Sequence, residues 1–339
     1  MVRTMKASGL ALFLIILLVY AADIAYADNA LIKRKDVQLF MQRMIKKHHF
    51  KHHELITLLQ QIKIRPQIKK QINKPLEKGP WDTYQMLFIS EWRIQHGVKF
   101  WNKHAETLKK AEKLYGVPAA IIVATLGIET KYGQRMGGHR VIDALGNLAF
   151  SNSARKRFFQ SELENFLILT RKHHLDPIKV MGSYAGAIGQ PQFMPSSYLN
   201  YGINFSNSGK VDLINNVDDV IGSIAYYYYK HGWQSNKPVA VRAYMIGQRY
   251  TRLVQKNKTN RALTLTQLSS FGVIPKYKAN EDKALAKVIE LPSALRREYW
   301  LGFHNFDVIK RYNSSNLYAM AVYQLSNYIT ELREKLNHE

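Results

Sequence analysis

Glu129 closes the run 119–128, in which almost every side chain is apolar, and Gly133 follows within four residues. A helix that is apolar all round is a buried one. Pro118 suits its first turn and Gly133 its end. A carboxylate carried to the last turn of such a helix faces partial desolvation and the negative helix end, and both raise its pKa. That is the condition a general acid needs near neutral pH. The plainer alternative is a solvated helix-end glutamate paired weakly with Lys131.

Other stretches carry chemistry-bearing side chains. His48, His49, His52 and His53 form the one conspicuous histidine cluster. On one continuous helix, His48/His52 and His49/His53 would share faces with metal-compatible spacing. Only Glu54 is near enough to help and the surrounding lysines repel cations, so a solvated basic helix-turn is expected. Residues 182–198 are rich in Gly and Ala, with Pro191 and Pro195, which lets the backbone approach a ligand or a neighbouring helix closely. Ser183 and Gln192 bring hydrogen-bonding groups there. The phosphate-loop ending is missing. Residues 204–213 have the outline of a calcium loop with Gly209 at the sixth position, but Asn204, Ser206 and Ser208 stand where carboxylates are needed, so affinity for a hard cation falls steeply. Neither a metal nor a cofactor is expected.

These residues need elements to hold them. Residues 28–74 read as basic helices, Pro75, Gly79 and Pro80 as a connection, and 86–115 as mainly helical with Trp92, Phe100 and Trp101. Tyr84, outside the strongest helical pattern, is a candidate to stack on a sugar face. Arg155, Lys156 and Arg157 precede an amphipathic helix over 158–170; such a triplet is a solvated face unless a cleft brings substrate carboxylates to it. A helix over 220–231 carries four consecutive tyrosines, 226–229, at least one of them facing a cleft. Runs 239–244, 286–291 and 299–308 favour strands, and a final helix extends to about Lys335.

Length, at 339 residues, allows two or more packed units, and 46% hydrophobic with 22% charged content excludes global disorder. The net charge of +24 favours polyanionic surroundings. Arg3 and Lys6 precede an apolar run over 10–22, and Ala25-Tyr26-Ala27 supplies the small residues a signal peptidase reads. Cleavage after Ala27 would leave an exported chain of net charge +23, since Arg3, Lys6 and Asp23 are removed. The absence of cysteine excludes disulfides and an acylated lipoprotein cysteine.

Taken together, Gly-Ile-Glu-Thr-Lys-Tyr-Gly at 127–133, the 182–198 stretch, Ile-Gly-Ser-Ile-Ala before the tyrosines, His-Gly-Trp at 231–233 and Tyr-Asn-Ser-Ser-Asn-Leu-Tyr-Ala-Met-Ala-Val at 312–322 resemble the lytic murein transglycosylase B family, in its order and over most of the exported chain. The resemblance implies a mainly α fold: a lysozyme-like helical core, an N-terminal helical domain and a small β-containing subdomain. It implies cleavage of the β-1,4 bond between N-acetylmuramic acid and N-acetylglucosamine in peptidoglycan. Glu129 matches the family's single catalytic acid. Ser183 and Gln192 match residues that hold a sugar beside it, while Tyr84, Tyr227, Tyr312, Asn313 and Tyr318 match cleft-lining positions. The family's calcium loop carries aspartates where this chain has Asn204 and Ser208, so the ion is not carried over.

The expected plan is a signal peptide at 1–27, an N-terminal helical region at 28–100, the core at 101–240, a strand-containing subdomain at 241–308, and a C-terminal helix at 309–339 returning to the cleft. The expected setting is the periplasm of a Gram-negative envelope. Expected partners are peptidoglycan glycan strands, with cell-wall synthesis or divisome proteins and the envelope surface as further contacts for a monomer, and no nucleic acid. Ordinary glycosidases need two carboxylates. Downstream of Glu129 only Asp143 lies within fifteen residues, and nothing marks it as a partner. A lone acid suits protonation of the glycosidic oxygen followed by intramolecular attack of the C6 hydroxyl. The alternatives are a hydrolytic muramidase and a non-catalytic peptidoglycan-binding scaffold.

Overall fold

The computed structural model describes residues 30–72, 79–254, 261–276, 284–293 and 297–338. The expected signal peptide and its cleavage point lie outside these residues, as does most of the connection around Pro75. The chain is mainly helical with small antiparallel sheets. It divides into two units: residues 1–73, 137–187 and 194–199, and residues 74–136, 188–193 and 200–339.

In the first unit, helix Lys35–His48 buries Val37, Phe40, Met41 and Met44, three and four residues apart, and exposes its lysines. It stops at His49, whose backbone is left-handed at φ 55°, and helix His52–Gln60 starts three residues later. The shared histidine faces that the spacing offered therefore do not form. His48 bonds Glu164 of helix Lys156–Lys172 at 2.7 Å instead. Strands β1 (His139–Arg140) and β2 (Met181–Gly182) pair antiparallel. Asp143, 1% exposed, meets Arg140 at 2.6 Å and the Lys63 backbone N–H at 2.9 Å. A buried charge requires such partners, so its role is structural.

In the second unit the central element is helix Ala119–Thr130, buried on every side. Helices Asn316–His338, Glu91–Lys103 and Ala105–Tyr115 pack against it. Each large aliphatic side chain buried there contributes roughly 1.5–3 kcal/mol. Its start is set by Gly116, left-handed at φ 69°, and by extended Pro118 at its cap. Asn216 caps helix Val217–Lys230 by accepting from the N–H groups of Asp218 and Asp219.

A five-stranded antiparallel sheet completes this unit: β3 (Ala240–Met245), β4 (Leu263–Thr264), β5 (Val273–Pro275), β6 (Leu285–Leu291) and β7 (Glu298–Gly302), in the order β4-β6-β7-β3-β5. The strand expected over 299–308 is cut short. β7 ends at Gly302 and His304–Tyr312 is a helix, because Phe306 and Ile309 recur at helical spacing on a buried face. The expected boundaries after residues 100 and 308 fall inside helices Glu91–Lys103 and His304–Tyr312.

Candidate active site

Helix Ala119–Thr130 delivers Glu129, half-buried, on its last turn. The helix stops before Gly133: Lys131, Tyr132 and Gly133 are successively left-handed at φ 51°, 60° and 85°. Two non-glycine residues in that region each cost about 1–2 kcal/mol, so the turn needs external anchors.

Three anchors hold it. The Tyr132 hydroxyl donates to the Arg93 carbonyl at 2.6 Å, and its ring occupies space that Gly97 and Gly127 leave open, where a Cβ would come within 2.7 Å of the phenol oxygen. Arg93, 8% exposed, donates Nε–H to the Gly127 carbonyl at 3.0 Å and Nη1–H to that of Leu87. The Leu126 carbonyl accepts from Tyr132 N–H at 3.2 Å, and the neighbouring Gly127 carbonyl, at the frayed helix end, takes the guanidinium. Thr130 Oγ1 donates to the Gln190 carbonyl at 2.8 Å and accepts from Gly133 N–H at 3.0 Å.

Four tyrosines gather by the carboxyl. The Tyr318 hydroxyl, from helix Asn316–His338, donates to Glu129 Oε1 at 2.6 Å. Tyr312 stacks on Tyr318 with ring centroids 6.3 Å apart and donates to the Pro191 carbonyl at 2.5 Å. Tyr227 lies 4.9 Å from Tyr312, ring to ring, and donates to the Arg311 carbonyl at 2.6 Å. The Thr125 hydroxyl already donates to Ile121, so the fully buried Tyr228 donates to Thr125 at 2.8 Å. Burial pushes all four phenols above the ordinary tyrosine range, and the negative charge of Glu129 pushes Tyr312 and Tyr318 further. The phenols therefore stay protonated, each with its proton committed to a protein acceptor.

Of the residues expected at the site, Glu129, Tyr227, Tyr312 and Tyr318 join in this one network. Gln192, left-handed at φ 51°, turns its amide nitrogen to the carbonyls of Met136 and Gly189 at 3.0 and 2.9 Å. Asn313 accepts from Ser315 N–H at 3.1 Å. Tyr84 differs from expectation as a stacking platform: it sits inside helix Trp81–Phe88, 2% exposed, with its ring 4.5 Å from Phe88. A short helix with one apolar face turns its aromatics inward. Ser183 and Arg155 belong to the first unit. There Ser183 Oγ accepts from the N–H groups of Ala185 and Ala187, and the Arg155 guanidinium lies over Phe158 and Phe159. Sequence reasoning misses Arg93, Thr130 and Tyr132 as supports; of the unassigned residues only Tyr228, inside the tyrosine run, carried a signal.

Residues 33–327 match the family described as the transglycosylase SLT domain. The chain is 37% identical over 308 residues to membrane-bound lytic murein transglycosylase B of Escherichia coli strain K12, covering 88% of this chain and 83% of that one. Its fold is similar to soluble lytic transglycosylase SltB1 from Pseudomonas aeruginosa, with TM-score 0.80, 39% identity, and coverage of 87% and 98%. It is also similar to the Escherichia coli lytic transglycosylase Slt35 solved in complex with calcium, with TM-score 0.80, 36% identity, and coverage of 89% and 94%.

The loop of this chain that resembles a calcium loop does not fit that ion. The Asn204 amide oxygen accepts from Ser208 N–H, Ser208 Oγ and Ser206 Oγ, at 2.9, 3.3 and 3.4 Å. Buried Asp219 accepts from the N–H groups of Ser206 and Asp212, both at 2.9 Å. Asp218 accepts from the Thr107 hydroxyl at 2.7 Å. The N–H and hydroxyl donors of the protein thus take up the amide and carboxylate oxygens that a hard cation would need.

Proposed function

Because the chain belongs to the transglycosylase SLT-domain family, we propose that it is a lytic murein transglycosylase in which Glu129 acts first as acid and then as base. The observation that carries this reading is the Tyr318 hydroxyl at 2.6 Å from Glu129 Oε1, in a buried network of four tyrosines. A phenol that cannot ionise is a steady donor: it orients the carboxyl group and stabilises the carboxylate left once the proton has gone.

The substrate is peptidoglycan, cut between N-acetylmuramic acid and N-acetylglucosamine. Glu129 gives its proton to the glycosidic oxygen, the bond from that oxygen to the muramyl C1 breaks, and N-acetylglucosamine leaves with a free hydroxyl. The muramyl N-acetyl oxygen stabilises the positive charge at C1. The C6 hydroxyl of the same sugar then attacks C1 and its proton passes to Glu129. The product is a 1,6-anhydro ring, the acid is regenerated, and no water is consumed. Intramolecular attack has a high effective molarity, which is why one carboxyl group suffices where hydrolases use two. Gln192 and Asn313 are assigned to sugar binding, as are Ser183 and Arg155 of the first unit. An exported chain acting on the wall in the periplasm is the matching location.

Mass spectrometry of digested sacculi tests the reading. The expected products are anhydromuramyl species, absent with Glu129→Gln; hydrated muramyl ends would assign the reaction to a hydrolase, and full activity in Glu129→Gln would remove the acid.

A further inference from the structure

The first unit concentrates positive charge. Between residues 30 and 72 it carries eleven Lys and Arg, all exposed, against the acids Asp36 and Glu54. Asp36 is taken by Arg34 and Lys156 at 2.9 and 2.6 Å. Glu164, on the packed helix, is taken by Arg43, Lys47 and His48. Lys46, Lys51 and Lys172 make no ion pair among the described residues.

Two contacts bring these cations to one end of the unit. Arg171 donates to the His48 carbonyl at 2.7 Å, and its guanidinium lies 3.9 Å over the Phe50 ring. Their neighbours Lys51 and Lys172 therefore come to the turn where helix Lys35–His48 ends. Beside that turn opens a groove of about 510 Å³ whose apolar wall is Phe50, Leu58, Leu167, Leu175 and Pro177, with Arg171 and His53 also lining it. Glu54 is in the lining too, its carboxylate accepting from Lys51 N–H at 3.3 Å. On helix Lys35–His48 Leu39 is 55% exposed, four residues after Lys35 and seven before Lys46, an apolar side chain within a basic stripe.

A hydrophilic polyanion would engage the lysines and have no use for the groove. Cations around an apolar slot complement a molecule with a negative head and a hydrocarbon body. We propose that this end of the first unit docks on the anionic phospholipid surface of a bilayer, headgroup phosphates meeting Lys51, Arg171 and Lys172 and the acyl region entering the groove. The reading stands apart from the catalytic one, since none of these residues is assigned to the reaction.

The test is co-sedimentation of the exported protein with vesicles of phosphatidylcholine, pure or mixed with phosphatidylglycerol. The parent is expected to bind only the mixed vesicles. Lys46→Glu/Lys51→Glu/Lys172→Glu should lower that affinity by at least about tenfold, whereas Lys103→Glu/Lys109→Glu/Lys113→Glu, an equal charge change on exposed positions of the second unit, should lower it less than about twofold. Leu58→Gln should weaken binding while leaving its salt dependence intact. Equal losses from the two triple variants would reduce the effect to net charge and overturn the proposal. So would unchanged binding by Leu58→Gln, or displacement from vesicles by soluble polyglutamate with the same sensitivity to the first triple, which would mark a hydrophilic-polymer site.

Discussion

Tyr318 and Glu129, 189 positions apart in the chain, meet through a 2.6 Å hydrogen bond. That contact makes the C-terminal helix part of the acid's environment. Removing one hydrogen bond to a charged group costs roughly 1.5–3 kcal/mol. Tyr318→Phe should therefore lower kcat about 10- to 150-fold on that scale, with KM little changed. Steady-state kinetics on soluble glycan chains separates the two parameters, and an effect confined to KM would refute the assignment.

Arg93 is the buried brace of the turn that carries Glu129. Arg93→Met leaves the carbonyls of Gly127 and Leu87 without their donor, at roughly 1–3 kcal/mol each. Urea unfolding should show a loss of about 2–6 kcal/mol on the same basis, and activity at a temperature where the variant is still folded should fall as well, because left-handed Lys131 and Tyr132 lose a support.

The ion pairs of the first unit set a pH dependence. Burial alone would raise the Asp36 pKa, but Arg34 and Lys156 outweigh it and hold the carboxyl at about 2, against an ordinary 3.8. The folded value is the lower one, so the stabilisation is complete above the ordinary value and is lost as pH falls from about 4 to 2. Urea melts should show parent more stable than Asp36→Asn at neutral pH, with the gap closing across that window.

Calcium should be dispensable. With the 204–213 loop closed by its own hydrogen bonds, chelator or added calcium should move the melting temperature by no more than about 1 °C, whereas Asn204→Asp/Ser208→Asp should create a calcium-dependent rise, as carboxylates restore affinity. Differential scanning fluorimetry reads both.

The sequence made helix Ala119–Thr130 legible because a run apolar on every face admits one placement, and Glu129 because it ends that run. It misled at 303–308, where β-favouring residues continue the pattern of β7 and only Phe306 and Ile309 reveal the helical period. It misled at Tyr84, whose helix is too short for its buried face to stand out. The four phenols of the network could be suspected from composition, but three of their acceptors could not: the Pro191 and Arg311 carbonyls and the Thr125 hydroxyl are supplied by tertiary packing. Arg93 is the extreme case, a residue 36 positions before Glu129 whose targets are main-chain oxygens.

Because the hydrogens of Tyr227, Tyr312 and Tyr318 are all spoken for, what the phenols beside Glu129 have left is lone pairs and electron-rich ring faces. Such surroundings favour a guest bearing positive charge. In inhibitor design, sugar mimics with a protonated ring nitrogen should therefore outperform neutral ones of the same shape.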